Sequence, residues 1–254
     1  MAVWRDIDGG PPHDLRSARL DALAHPQELY LEQRVGTGRT MVLSCGSGRV
    51  AGYAVIADDA VVEFHVDDDT PNDDAFGSLL RATDATRSMI MSFDTAGLCA
   101  ARSHATGERA IGTLFRAFAP SDMTLGDITT RHATQTDQDR VAAMHDGFFD
   151  DLTEIDRYIR TRTLVLFELG KDLVGCGITT RVIAGRDAVD IGMVVAVNKR
   201  GRGLGTYIAA HLAEQCVDAG DRPIAGCAVS NEASRRALER AGFRSDHTLI
   251  ELEH

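Results

Sequence analysis

Apolar residues recur along this chain in two rhythms, period two and period 3.6, and the order of those rhythms is repeated once. In the second half, residues 123–130 alternate like a strand, and 137–147 and 152–160 carry apolar positions at helical spacing. An apolar, β-rich run over 164–169 meets the turn Gly170-Lys171-Asp172, and strands follow over 173–183 and, past Gly185-Arg186-Asp187, over 188–197. Strands joined by turns this short form an antiparallel meander. Ile208, Leu212, Ala213 and Cys216 then predict an amphipathic helix over 206–219, with Gly220 at its C-cap. Residues 223–229 read as a strand. Ser230 or Asn231 caps a helix over 232–240 that stops at Gly242, and 243–252 forms a last strand or strand pair.

The first half follows the same order with little shared sequence. Helices are expected at 16–23 and 26–34, a meander at 40–44, 49–57 and 60–66, a helix at 74–82, a strand at 88–93, a helix at 95–105 and a strand at 110–118. The pattern predicts an α+β protein of two similar units, 1–120 and 121–254, joined near Ala119-Pro120-Ser121. Each unit would carry a mixed, mostly antiparallel sheet flanked by helices.

Composition narrows the function. The net charge is −11, and both halves share it: 17 acids against 11 bases in 1–120, and 21 against 16 in 121–254. Neither half has the basic character of a nucleic-acid binder. The first residues lack the apolar core of a secretory signal, and no apolar run reaches the length of a membrane helix. Cys45, Cys99, Cys176, Cys216 and Cys227 are widely spaced and odd in number. A disulfide framework or zinc site is therefore not expected, and a cytoplasmic location fits.

The most informative stretch is Asn198-Lys-Arg-Gly-Arg-Gly-Leu-Gly-Thr206, where a β-branched strand runs into a basic, glycine-rich turn that opens a helix. Gly201, Gly203 and Gly205 leave the backbone uncovered and permit positive φ. Bare N–H groups at a helix N-terminus attract anions, and a pyrophosphate is the natural ligand. The P-loop pattern is absent, and the Gly-x-Gly-x-Gly spacing after a meander is not the dinucleotide fingerprint of a parallel β-α-β unit.

Arg200-Gly201-Arg202-Gly203-Leu204-Gly205 resembles the coenzyme A loop of the GNAT superfamily of acetyl-CoA-dependent N-acetyltransferases. One helix and one strand later, Asn231-Glu-Ala-Ser234 leading to Ala241-Gly242-Phe243 resembles that family's next signature. The resemblance covers about 123–254. It implies a sheet splayed open between the strands at 188–197 and 223–229, with acetyl-CoA as co-substrate in the gap. By position, Val195 and Val197 would offer main-chain N–H groups to the pantetheine arm and the thioester oxygen. Arg200, Gly201, Arg202, Gly203, Leu204, Gly205 and Thr206 would hold the pyrophosphate. Asn231 would touch pantetheine, with Ser234 or Arg235 near the cofactor, although Asn231 also suits plain helix capping. The family's usual tyrosine, which protonates the leaving thiolate, falls at Leu238.

Acetyl transfer needs an amine deprotonated, an oxyanion stabilised and a thiolate released. Asp190, opening the strand beside the gap, is the first candidate base. Glu168 and His247 rank lower, His211 reads as packed or solvated, and Cys227 lacks a histidine partner in sequence. The first half has no counterpart to the loop: the acidic run 67–74 follows its meander and would repel a pyrophosphate. The expected function is acetyl transfer from acetyl-CoA to a primary amine on a small molecule. A non-catalytic CoA or acyl-CoA binder and a protein N-acetyltransferase are the alternatives. No metal, nucleic acid or membrane partner is expected, and a homodimer is compatible with the sequence.

Overall fold

The computed structural model describes residues 3–46, 48–120, 126–145 and 147–254. They fall into two compact units, 1–113 with 247–254, and 114–246.

The first unit runs β1 (Val3–Ile7), α1 (His13–Ala22), α2 (Leu29–Thr37), β2 (Arg39–Ser44), β3 (Val50–Ala57), β4 (Ala60–Val66), α3 (Asn72–Ala82), β5 (Arg87–Met91), α4 (Thr95–Arg102) and β6 (Gly107–Phe115). Strands β1 to β4 pair antiparallel in sequence order. The β4–β5 pair is parallel and short, covering Ala60↔Arg87 and Val61↔Ser88. Trp4, Phe64, Phe76, Leu79, Ile90 and Leu98 centre its core.

The second unit contains β7 (Ala117–Phe118), β8 (Ile128–His132), α5 (Gln138–Met144), α6 (Leu152–Arg160), β9 (Leu164–Leu169), β10 (Asp172–Arg181), β11 (Ala188–Val195), α7 (Leu204–Asp218), β12 (Arg222–Ala228), α8 (Glu232–Ala241) and β13 (Phe243–Arg244). Strands β8 to β11 pair antiparallel in order, and β11 meets β12 in parallel. Helices α7 and α8 pack on one sheet face over Val189, Ile191, Ile208, Leu212 and Leu238. Helices α5 and α6 cover the other face over Cys176 and Val194.

The periodicities place the elements to within a few residues, because each helix stripe and strand alternation is long enough to be unambiguous. The 123–130 strand is found as Ile128–His132, and its first three predicted residues lie outside the described residues. Helix α7 begins at Leu204, two residues before its predicted start, since Gly203 at φ 78° turns the chain straight into it. Strand β1 is not among the predicted elements, its five residues alternating only weakly.

The unit boundary is a correction. A cut at 120/121 puts the last strand with the second half, yet that strand, β14 (His247–Glu253), pairs antiparallel with β5 in the first unit. Its Ile250 and Leu252 fill the first unit's core, while Phe115 and Phe243 fill the second's. Strand periodicity fixes which residues point inward but not which sheet they join. Gly242, at φ 108°, ends α8 under a hard constraint: a Cβ there would lie 2.0 Å from Ala119 C=O.

Candidate active site

Strands β11 and β12 share register only at Ala188↔Arg222, Val189↔Pro223 and Asp190↔Ile224, and beyond these pairs they part. Hydrogen-bond parity decides what the opening exposes. Val182 N–H donates to Ala188 C=O, and Ala196 N–H to Val174 C=O, so the even-numbered residues of β11 use their main-chain groups on β10. Odd-numbered residues face the other edge: Arg222 N–H donates to Asp187 C=O, and Arg200 Nε to Val195 C=O at 3.2 Å. The Asp190↔Ile224 pair uses the Ile191 N–H on Ile224 C=O, so past it the N–H groups of Met193 and Val195 point into the gap. Of these, the sequence reading named Val195. Strand parity is the signal that adds Met193.

The chain leaves β11 through a tight turn at Val197–Lys199, closed by Lys199 N–H to Ala196 C=O at 2.8 Å. Val197, assigned to the strand from sequence, lies in this turn and is exposed. Gly201 and Gly203 take φ of 76° and 78°, and nothing stands within 4 Å of a Cβ built on either. Gly205 serves differently. Its conformation is ordinary, but a Cβ would lie 3.5 Å from Met193 Sδ and 3.6 Å from Val195 Cγ2 and Ala237 Cβ. These are ordinary packing distances, so the first turn of α7 rests on β11 and α8 without a close approach that would demand glycine. No side chain caps this helix, so the first-turn N–H groups of Leu204, Gly205 and Thr206 lack intrahelical acceptors and remain for a ligand. The Leu204 and Thr206 side chains are buried beneath them. Arg200 and Arg202 are exposed at the rim, whereas Lys199 Nζ is held by Asp172 at 2.7 Å.

Asn231 Oδ1 accepts the Ser234 N–H at 3.1 Å, so it caps α8, and that amide is used. Arg235 joins a ladder on its own helix, to Glu239 at 3.1 Å and Glu232 at 3.3 Å. Leu238 is 2 % exposed within the core, so the place of the family's tyrosine is a packing position.

Among the acid–base candidates, Asp190 is half-buried on β11 opposite Thr180 of β10, at the point where the strands separate. Burial works to raise the Glu168 carboxyl, but hydrogen bonds from Arg140 and Arg131 hold it below the usual range and occupy it. His247 belongs to β14 and packs on the His25 ring at 4.3 Å, in the first unit. His211 stacks on Tyr207 and meets Phe167 edge-on, and burial lowers its pKa. Cys227 packs partly buried on the second core. Burial pushes the Cys176 thiol up to about 12, which suits a small core hydrophobe. Among the described residues no group of three His, Cys, Asp or Glu could hold a metal, and no helix is long and apolar enough to cross a membrane.

A parallel strand pair opening beside a glycine-rich helix N-terminus is the arrangement that the resemblance to the GNAT superfamily implies. The acetyltransferase (GNAT) family model matches residues 131–243, and this part of the chain belongs to that family, whose acyl donor is acetyl-CoA. The fold match extends over both units. A GNAT-family acetyltransferase structure from Colwellia psychrerythraea is 15 % identical, with 99 % of each chain covered and a TM-score of 0.84. A GCN5-related N-acetyltransferase from Sphaerobacter thermophilus is 14 % identical over 99 % of this chain and 95 % of its own, at 0.65. A tandem GNAT protein from the clavulanic acid biosynthesis pathway is 12 % identical over 100 % and 98 %, at 0.61. These likenesses establish the fold. No curated protein matches the chain.

Proposed function

We propose that the second unit transfers the acetyl group of acetyl-CoA to the primary amine of a small molecule. The observation that carries this reading is the early end of β11–β12 pairing at Asp190↔Ile224, beside an uncapped helix N-terminus. The N–H groups of Leu204, Gly205 and Thr206, with Gly201 and Gly203 bare above them, suit a pyrophosphate. Those of Met193 and Val195 suit the pantetheine amides and the thioester oxygen.

In the reaction, the amine nitrogen bonds to the thioester carbon as that carbon's bond to sulfur breaks. An N–H group of β11 steadies the negative charge that develops on the oxygen. The proton lost by nitrogen passes to Asp190, directly or through one water. The sulfur leaves as a thiolate. A thiolate is a far weaker base than an alkoxide, so it can leave without a dedicated acid, which fits leucine at position 238.

The test is CoA release with purified protein, acetyl-CoA and a panel of small amines and peptides. Turnover on small amines that falls at least about a hundredfold in Asp190→Asn supports the reading, a loss in the range expected of a general base. Tight acetyl-CoA binding without turnover on any acceptor would instead favour a non-catalytic acyl-CoA binder, the reading that the buried Leu238 motivates. Acetylation confined to peptides would favour a protein N-acetyltransferase.

A further inference from the structure

The face of β11 opposite the α7–α8 core carries Asp190, Gly192 and Val194 in a row, with Thr180, Ile178 and Cys176 facing them across β10. Gly192 is the anomaly in this row. A Cβ there would lie 2.7 Å from Ile178 Cγ1 and 3.2 Å from Phe148 Cζ. The Phe148 ring, carried by the chain between α5 and α6, thus rests on bare backbone two residues from Asp190. The ring is held from three sides. His145 Nδ1 accepts the N–H groups of Gly147 and Phe148, each at 3.1 Å, which fixes the turn. Phe149, buried, meets Phe148 edge-on with centroids 4.8 Å apart. Glycine at 192 provides the seat. Phe148 itself is only half-buried, so part of the ring remains available.

We propose that Phe148 is the specificity-determining wall of the acceptor site, and that the acceptor is a primary amine carried on an aromatic or other apolar group. This rests on the acetyl-transfer reading and deepens it. An amine directed at Asp190 brings its carbon skeleton alongside the ring. There the neighbours along the row are Phe148, Ile178 and Val194, with Thr180 opposite Asp190 on β10. An aromatic face attracts an ammonium group and stacks on a second ring. A polyhydroxylated amine such as an aminosugar would lay hydroxyls against this apolar surface without partners, which disfavours it.

The experiment is calorimetric titration of the full chain, saturated with CoA, with phenethylamine and with glucosamine, alongside CoA-release assays with acetyl-CoA. Phenethylamine is expected to bind more tightly than glucosamine. Phe148→Ala is expected to weaken phenethylamine roughly tenfold, the scale of a lost aromatic contact, and to raise its KM more than it lowers kcat. Acetyl-CoA affinity is expected to stay unchanged, and Phe148→Tyr to keep most of the binding. If Phe148→Ala does not fold, Gly192→Ala provides the second test, since its methyl group would press on Ile178 and on the Phe148 ring and should weaken the same amine. Unchanged phenethylamine affinity in the folded variants, preference for glucosamine, or binding of neither amine would overturn the proposal. Phenethylamine bound at Phe148 without CoA release would leave the wall standing and sink the transfer reading. Brisk acetylation of glucosamine alone would do the reverse.

Discussion

Arg19 Nη2 donates to Asp94 Oδ2 at 2.6 Å, and its Nη1 lies 3.5 Å from Glu63 Oε2, so one guanidinium joins β4 to the cap of α4 across the first unit's own strand opening. Asp94 caps the helix after β5 by accepting Gly97 N–H, as Asn231 caps the helix after β12. The two units share the short parallel pairing and the cap that follows it. They differ in what lies between the strands. The first unit fills the space with Arg19, tied further to Arg16, Gln27 and Tyr53 through Glu63, and only about 10 Å³ stays free. The second leaves its N–H groups unclaimed. The first unit is thus closed by its own side chains, and the acidic run after β4 gives it no phosphate loop.

Stability of the first unit should depend on pH through Glu63. Burial acts to raise this carboxyl, but the Arg19 charge and the Arg16 hydrogen bond outweigh it and hold the pKa below the ordinary value. A depressed folded pKa contributes stability that is complete above the unfolded value of about 4.3 and is lost as pH falls through the folded value. Glu63→Gln should cost about 3–5 kcal/mol near neutrality, because it leaves buried arginines undercompensated, and should flatten the acid limb. Urea unfolding between pH 3 and 7 measures both. Trp4, the chain's single tryptophan, lies in this unit's core and reports on it. An acid limb of equal slope in the variant would rule out the assignment.

Gly203→Glu should weaken acetyl-CoA binding by more than about tenfold, since it sets a carboxylate over the helix N-terminus where a diphosphate is proposed to sit. The fold should survive: a Cβ there meets nothing within 4 Å, and the positive φ costs about 1–2 kcal/mol. Calorimetry paired with a melting curve separates the effects. Unchanged affinity would remove the loop from the cofactor site.

Asn231→Ala distinguishes capping from ligand contact. Loss of the Oδ1 bond to Ser234 N–H should cost about 1 kcal/mol of stability. If Asn231 also touches pantetheine, acetyl-CoA affinity falls as well. If capping is its whole role, Asn231→Asp, which caps equally well, restores both properties.

Leu252→Ala should destabilise the first unit although the residue lies at the far end of the sequence. The side chain is fully buried among Trp4, Phe76 and Leu79, and its truncation should cost about 2–5 kcal/mol. The expected result is an earlier Trp4 fluorescence transition in urea. A transition unmoved by the substitution would show that β14 does not support that core.

Local chemistry was sufficient for much of this protein. Alternation and helical stripes located the meanders, and the basic glycine run after a β-branched strand marked α7's N-terminus. Asn231 three residues before Ser234 marked a cap. Each of these signals is carried by neighbours in sequence, through backbone conformations and hydrogen bonds that span a few residues. Long-range matters were decided by tertiary structure alone. Which sheet takes β14, which edge N–H groups of β11 stay open, and why Gly192 has no side chain all depend on residues that meet from distant positions. A strand's pattern fixes its faces and leaves its partner undetermined. Nothing near Arg19 in sequence shows that it would fill, in one unit, the kind of space its counterpart leaves open. That follows only when Glu63 and Asp94 are brought to either side of it by folding.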